Sequence, residues 1–245
     1  MNADLVIRKA LPTDAPGIAR VHIASWQTAY RGILPDAYLD QLANTYPKRL
    51  ARWEQGLRQP ETAGTRTFVV ETAAHGIIGF AAAGPIRKPV QDYTGELSAI
   101  YLLAEHRRRG LGQMLFQRCV LHLHELHLRN MFVLVLERNP ACRFYQAMGG
   151  VVVPDFRIDL TIADTQVVEV AYGWASLPDN RSETRGMGLS SDRPAVHRHG
   201  AVETTNVKDS PQRPCSVGQS DAEQDHEAGE EADGAFDGHG NLRER

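Results

Sequence analysis

Apolar residues along the first 177 positions of this chain recur with two periods, about two residues in some stretches and three to four in others. The short period marks strands and the longer one amphipathic helices. Leu5-Val6-Ile7-Arg8 predicts a short strand. Thr13-Asp14 can cap a helix whose positions Ile18, Val21, Ser25-Trp26 and Ala29-Tyr30 follow helical spacing. Further helices are predicted from 35 to about 43 and from about 46 to 57. Residues 67–71 and 77–82 read as strands joined through a His75-Gly76 turn, a hairpin signature. A strand over 96–103 comes next. The helix after it places Leu111, Leu115, Cys119, Leu123 and Leu126 on one face. Residues 131–137 read as a buried strand, 140–148 as a short helix, and 151–153 with 167–172 as the last strands. Strands on both sides of helices, with an antiparallel hairpin early, predict a mixed α/β sheet.

The pattern ends after Leu177. Residues 178–245 contain no Ile, Tyr or Trp and one aromatic, Phe236, among Ser, Gly, Asp, Glu, Arg and Pro. Such a segment cannot bury enough apolar surface to offset about 1–2 kcal/mol of backbone entropy per ordered residue. The expectation is one folded domain over 1–177 and a disordered, acidic, low-complexity tail over 178–245. Charge follows the same division. Of 27 Lys/Arg and 30 Asp/Glu, eight and fourteen lie from Pro178 onward, so the formal −3 of the chain is −6 in the tail and +3 before it.

No apolar run approaches the ~18 residues of a membrane helix, and the start lacks the apolar core of a signal peptide. Cys119, Cys142 and Cys215 form neither a disulfide framework nor a zinc-site spacing, which predicts a reducing, cytoplasmic setting. The modest positive balance of the front, without a basic stripe, excludes nucleic acid as the expected partner.

Two segments carry candidate chemistry. In Arg107-Arg108-Arg109-Gly110-Leu111-Gly112-Gln113, two glycines follow a strand and open a helix, where backbone N–H groups and the helix dipole favour an anion. There is no Gly-Lys-Ser/Thr of a P-loop and no third glycine of a dinucleotide fingerprint. The blander reading is a turn with solvated arginines. The second segment is Asn139-Pro140-Ala141-Cys142-Arg143-Phe144-Tyr145-Gln146-Ala147-Met148-Gly149-Gly150. Asn139 can offer its amide to a ligand passing the strand end, or cap the helix. Tyr145 can present a phenol to the same cleft as a proton donor, or simply pack.

In this order and separation the two segments resemble the GCN5-related N-acetyltransferase (GNAT) superfamily, bacterial small-molecule type. Its [Gln/Arg]-x-x-Gly-x-[Gly/Ala] motif is matched by Arg107, Gly110 and Gly112. Its Asn-Pro-Ala-x-x-Phe-Tyr-x-x-x-Gly element is matched from Asn139 to Gly149. The front, Trp26-x-x-x-Tyr30-Arg31-Gly32-Ile33-Leu34-Pro35, and the end, Glu169-Val170-Ala171-Tyr172-Gly173-Trp174, are also similar to that group. The resemblance covers about 4–177. Ala104 stands where family members commonly have proline, which removes stiffness but no ligand group.

The resemblance implies a mostly antiparallel central sheet flanked by helices, and acetyl-CoA as co-substrate with no metal. Coenzyme A pyrophosphate would rest on the backbone of 108–113. The pantetheine arm would run beside Ile100-Tyr101-Leu102, with one N–H of that strand polarising the thioester. Asn139 would bond the arm, and Tyr145 would serve as general acid. Glu96, on the strand before the acetyl site, is the first candidate for general base and Glu137 the second; a solvated or salt-bridged carboxylate is the bland alternative for each. Trp26 and Tyr30 line an acceptor pocket or belong to the core. The acceptor is a small-molecule amine or a protein N-terminus, and a homodimer stays open. Two rival readings are a non-catalytic acyl-CoA-binding module and an interaction protein working through its tail. His122-Leu123-His124-Glu125-Leu126-His127 is expected to be a solvated helix face rather than a metal site, since His122 and His124 stand ~200° apart on a helix and cannot share one ion. Cys142 has no histidine at a spacing that supports a nucleophile.

Overall fold

The computed structural model describes residues 5–58 and 64–178. The expected tail, Pro178 apart, lies outside the described residues. Among the described residues seven strands are present: β1 Leu5–Lys9, β2 Arg66–Thr72, β3 Gly76–Pro85, β4 Gly95–Leu102, β5 Met131–Leu136, β6 Val151–Ile162 and β7 Thr165–Trp174. They form one sheet in the order β1-β2-β3-β4-β5-β7-β6. Every neighbouring pair is antiparallel except β4 and β5, giving the mixed, mostly antiparallel sheet.

The helices are α1 Ala15–Ala29, α2 Asp36–Gln41, α3 Tyr46–Leu57, α4 Leu111–Glu125 and α5 Ala141–Ala147. They cover both faces. Leu111, Leu115, Cys119 and Leu123 of α4 pack on Val70, Leu97, Met131, Val133 and Val135 on one side. On the other side α1 and α3 pack Ile18, Val21 and Trp53 against Val69, Phe80 and Ala99. The α1–α2 segment adds Trp26, Tyr30, Leu34 and Leu39 against Leu136 and Val167. The apolar run of β5 is buried on both faces: Met131, Val133 and Val135 feed the α4 core and Leu136 the α1 core.

A bulge in β4 prepares the site. Ala82 pairs with Ala99 and Ala83 with Leu97, so Ser98 is the extra residue. The bulge turns Leu97 into the same core as Ile100 and Leu102, while Ala99 and Tyr101 face the α1 side.

Three expectations are corrected. β6 runs to Ile162, nine residues past the predicted end. Pro154 and the left-handed Asp155 (φ 60°) distort it into a wide bulge, and its half-exposed edge position lets polar residues fill it. His122 is buried, not solvated: its Nε2–H donates to the Gly64 carbonyl at 2.7 Å, and His124 bonds the Pro178 carbonyl at 3.1 Å. Asp14 precedes α1 without capping it through its side chain. Its carboxylate instead accepts the Leu11 N–H at 2.7 Å and two bonds from Arg8, at 2.6 and 2.9 Å.

Candidate active site

β4 and β5 are hydrogen-bonded only at Gly95↔Met131 and Glu96↔Phe132. Both strands continue beyond those rungs, β4 to Leu102 and β5 to Leu136, so a gap opens between them. Ile100, Tyr101, Leu102 and Leu134 are half-buried along it. The Leu103 N–H donates to the Ile78 carbonyl at 3.0 Å, which fixes the alternation. The backbone of Tyr101 therefore faces β3, and that of Ile100 and Leu102 faces the gap. The Leu102 carbonyl is already used, accepting Arg107 Nε at 3.0 Å and Ser25 Oγ at 3.2 Å.

The loop after β4 meets the mouth of this gap. Arg108 and Gly110 are left-handed (φ 61° and 79°), and Gly110 occupies the cap position of α4 with no side-chain cap bond. The first intrahelical bond is Met114 N–H to the Gly110 carbonyl at 3.1 Å. That leaves the N–H groups of Leu111, Gly112 and Gln113 as first-turn donors at the positive end of a four-turn helix. Gly112 is close to its neighbours: a Cβ there would lie 3.3 Å from Phe144 and 3.6 Å from Leu102. Arg108 and Arg109 are exposed, whereas Arg107 turns inward.

Three phenols meet where the strands part. Trp26 Nε1–H donates to the Tyr101 hydroxyl at 3.1 Å. The Tyr30 hydroxyl lies beside Tyr101 and the Asn139 side chain, which act on its ionisation in opposite directions. Asn139 Oδ1 accepts the Ala141 N–H at 2.9 Å at the entry to α5. Tyr145 is 5 % exposed and stands close enough to Tyr101 and Cys142 to feel both. Burial raises Tyr30 and Tyr145 well above the ordinary phenol value, so both stay protonated through neutral and moderately alkaline pH. The sequence-predicted Tyr30, Tyr101, Asn139 and Tyr145 are thus brought together. Of the two readings of Trp26 and Tyr30, the structure shows the core one: they are 0 % and 7 % exposed.

The two candidate carboxylates are both ion-paired. Glu96, 3 % exposed, receives Arg87 Nη2 on Oε1, and Arg87 Nε at 3.0 Å and backbone N–H at 3.3 Å on Oε2. Glu137 is exposed and bonded to Arg157 at 2.5 and 3.2 Å; those bonds hold its carboxyl below the ordinary value. Sequence reasoning missed Arg87, Ser25 and Thr28. Ser25 and Thr28 stand one turn apart on a helix, and only that shared face hinted at a common contact. Among the described residues no group of three or more His, Cys, Asp or Glu could hold a metal ion. No helix among them is long and apolar enough to cross a membrane.

The chain is similar to known proteins. The acetyltransferase (GNAT) family matches residues 25–150, which includes the loop and the Asn139–Tyr145 segment. The uncharacterized N-acetyltransferase YuaI of Bacillus subtilis (strain 168) is 35% identical over 173 residues, 71% of this chain and 94% of its own length. The probable N-acetyltransferase Rv2775 of Mycobacterium tuberculosis is 27% identical over 166 residues, 64% of this chain and 82% of its own. In fold, the chain is similar to yncA of Salmonella typhimurium, solved with its cofactor acetyl-CoA. That likeness has a TM-score of 0.53 and 20% identity, covering 72% of this chain and 96% of that one.

Proposed function

The chain belongs to the acetyltransferase (GNAT) family, and from that premise we propose that it moves an acetyl group from acetyl-CoA to a primary amine by direct attack in a ternary complex. The observation that carries this reading is the parting of β4 from β5 opposite a glycine-opened helix N-terminus. A strand edge with unused backbone groups suits an extended pantetheine amide chain, and the α4 first turn suits a pyrophosphate. The N–H groups of Leu111, Gly112 and Gln113 would hold the pyrophosphate, with Arg108 and Arg109 adding charge from solvent. That yncA is held with acetyl-CoA on a similar fold supports the same donor.

In the proposed reaction the amine nitrogen attacks the thioester carbonyl carbon. The Ile100 N–H, facing the gap, stabilises the oxyanion. The carbon–sulfur bond then breaks, and the proton lost by the amine is balanced by the one gained by sulfur. Tyr145, kept neutral by burial, donates to the departing sulfur. Glu96 takes the amine proton through water, with Arg87 fixing the position of the carboxylate. Asn139 orients Tyr30 against Tyr101, and these with Trp26 form the acceptor-side wall. The catalytic domain is 1–177, and the acceptor is a small-molecule amine or a protein N-terminus.

The test is calorimetric binding of acetyl-CoA followed by release of free thiol with a panel of amines. Binding with amine-dependent thiol release supports the reading. Binding without release for any amine leaves an acyl-CoA-binding module, and absence of binding overturns both. Glu96→Gln should lower kcat/KM about 10²-fold near neutral pH and less at alkaline pH, where the amine needs no base. An equal loss at every pH removes Glu96 as base.

A further inference from the structure

Arg107 carries the side chain that opens the phosphate-loop motif, yet its guanidinium points away from the loop. Its Nε–H donates to the Leu102 carbonyl at 3.0 Å and its Nη2–H to the Thr28 hydroxyl at 2.9 Å. Thr28 passes its own proton to the α1 backbone, with the Ala24 and Ser25 carbonyls at 3.2 and 3.1 Å. Ser25, one turn earlier, donates to the same Leu102 carbonyl at 3.2 Å. One strand-end carbonyl is thus gripped by the loop and by α1, and Arg107 joins all three segments. The Arg107 N–H is also spent, on the Ala104 carbonyl at 3.2 Å.

The helix it reaches is the acceptor-side wall. Trp26 lies next to Ser25 and bonds Tyr101, and Tyr30 lies two residues past Thr28. Burial holds the Arg107 guanidinium below the ordinary arginine value, the charge of Glu105 opposing. A half-buried cation spending its donors on a carbonyl and a hydroxyl is a costly strut unless its geometry matters.

We propose that Arg107 is a positioning residue for the acceptor side: it ties the phosphate loop to α1, so that filling the loop fixes Trp26 and Tyr30. The proposal rests on the loop being a coenzyme A cradle. Arg107 then contributes little to holding the cofactor, whose phosphates meet the backbone after it. Replacing Arg107 should leave cofactor affinity intact and disconnect α1 from it.

Full-length protein, Arg107→Met and Thr28→Val are each titrated with coenzyme A by calorimetry. Amide hydrogen exchange over residues 25–30 is followed with and without it. In the unaltered protein coenzyme A should slow exchange there about tenfold. In both variants the affinity should stay within about twofold and the slowing should vanish. Thr28→Val keeps the arginine and its charge, so it separates the strut from electrostatics and covers the case of a misfolded Arg107→Met. Weakening of about tenfold or more in Arg107→Met with none in Thr28→Val would make Arg107 an anion ligand and overturn the proposal. Undiminished slowing of α1 in Thr28→Val overturns it too. An unaltered protein that does not bind coenzyme A overturns the cradle, and this proposal with it.

Discussion

A phenol buried among aromatic rings can act at a reaction centre only if its proton is in reach; the burial of Tyr145 is observed, and its reach is what the proposed role requires. Its ring packs edge-on against Phe144 and Trp174 at 5.6 and 6.4 Å between centroids, and it touches Tyr172 at 5.9 Å. Tyr145→Phe keeps that packing and deletes one hydroxyl. It should lower kcat by about 10²-fold or more while acetyl-CoA binds as before, read by thiol release and calorimetry. An unchanged kcat would reduce Tyr145 to packing. Because burial raises the phenol, no falling limb from its ionisation should appear in the kcat–pH profile up to about pH 10. The residue types of this site were legible in the sequence, since Gly110, Gly112, Asn139 and Tyr145 sit in two short local segments. Their neighbours were not. Arg87 on Glu96 and Arg107 on Thr28 are contacts between distant segments, and no spacing along the chain encodes them.

Polar ties at their ends add to the cores that hold these elements in place. Gly110 caps α4 with φ 79°, a conformation costing a side chain roughly 1–2 kcal/mol, although a Cβ there would meet nothing within 4 Å. Gly110→Ala should therefore weaken acetyl-CoA binding by about five- to thirtyfold through the loop's shape, without a clash. Calorimetry checks it, and unaltered affinity would mean the loop is not the cradle. The Arg8–Asp14 pair ties β1 to the start of α1, and Arg8 also bonds Glu71 of β2 at 2.9 Å. Burial acts to raise Asp14, but the bonds from Arg8 and the Leu11 N–H and the charge of Arg8 outweigh it, leaving the carboxyl below its usual value. A depressed folded value means the tie stabilises above about pH 4, the unfolded value, and is lost as pH falls through the folded one. Thermal melts from pH 6 to 2.5 should show Asp14→Asn removing part of the acid-induced loss; parallel curves would remove Asp14 from it. Strong periodicity made α1, α3, α4 and β5 readable. β6 was not, because an edge strand with a bulge carries neither a clean alternation nor an apolar run.

At the scale of the whole chain the question is where the folded unit stops. Composition places the boundary at 177, and the structure shows what the last residues do. Leu177 is 4 % exposed in the α4 core, and its N–H donates to the Arg129 carbonyl at 2.8 Å. The Pro178 carbonyl accepts from His124 at 3.1 Å. These contacts fasten the end of β7 over the turn that follows α4. A chain ended after Pro178 keeps all of them and loses only residues whose composition gives them little to bury. It should match the full-length protein in melting temperature and in amine-dependent thiol release. A chain ended after Ser176 loses a buried leucine worth about 1.5–3 kcal/mol, the Leu177 backbone bond and the His124–Pro178 bond, and should melt several degrees lower. Equal melting of the two shortened chains would show that Leu177 is not a core residue. Loss of thiol release with melting unchanged in the chain ended after Pro178 would place part of the function beyond 178, and the one-domain reading of catalysis would fall.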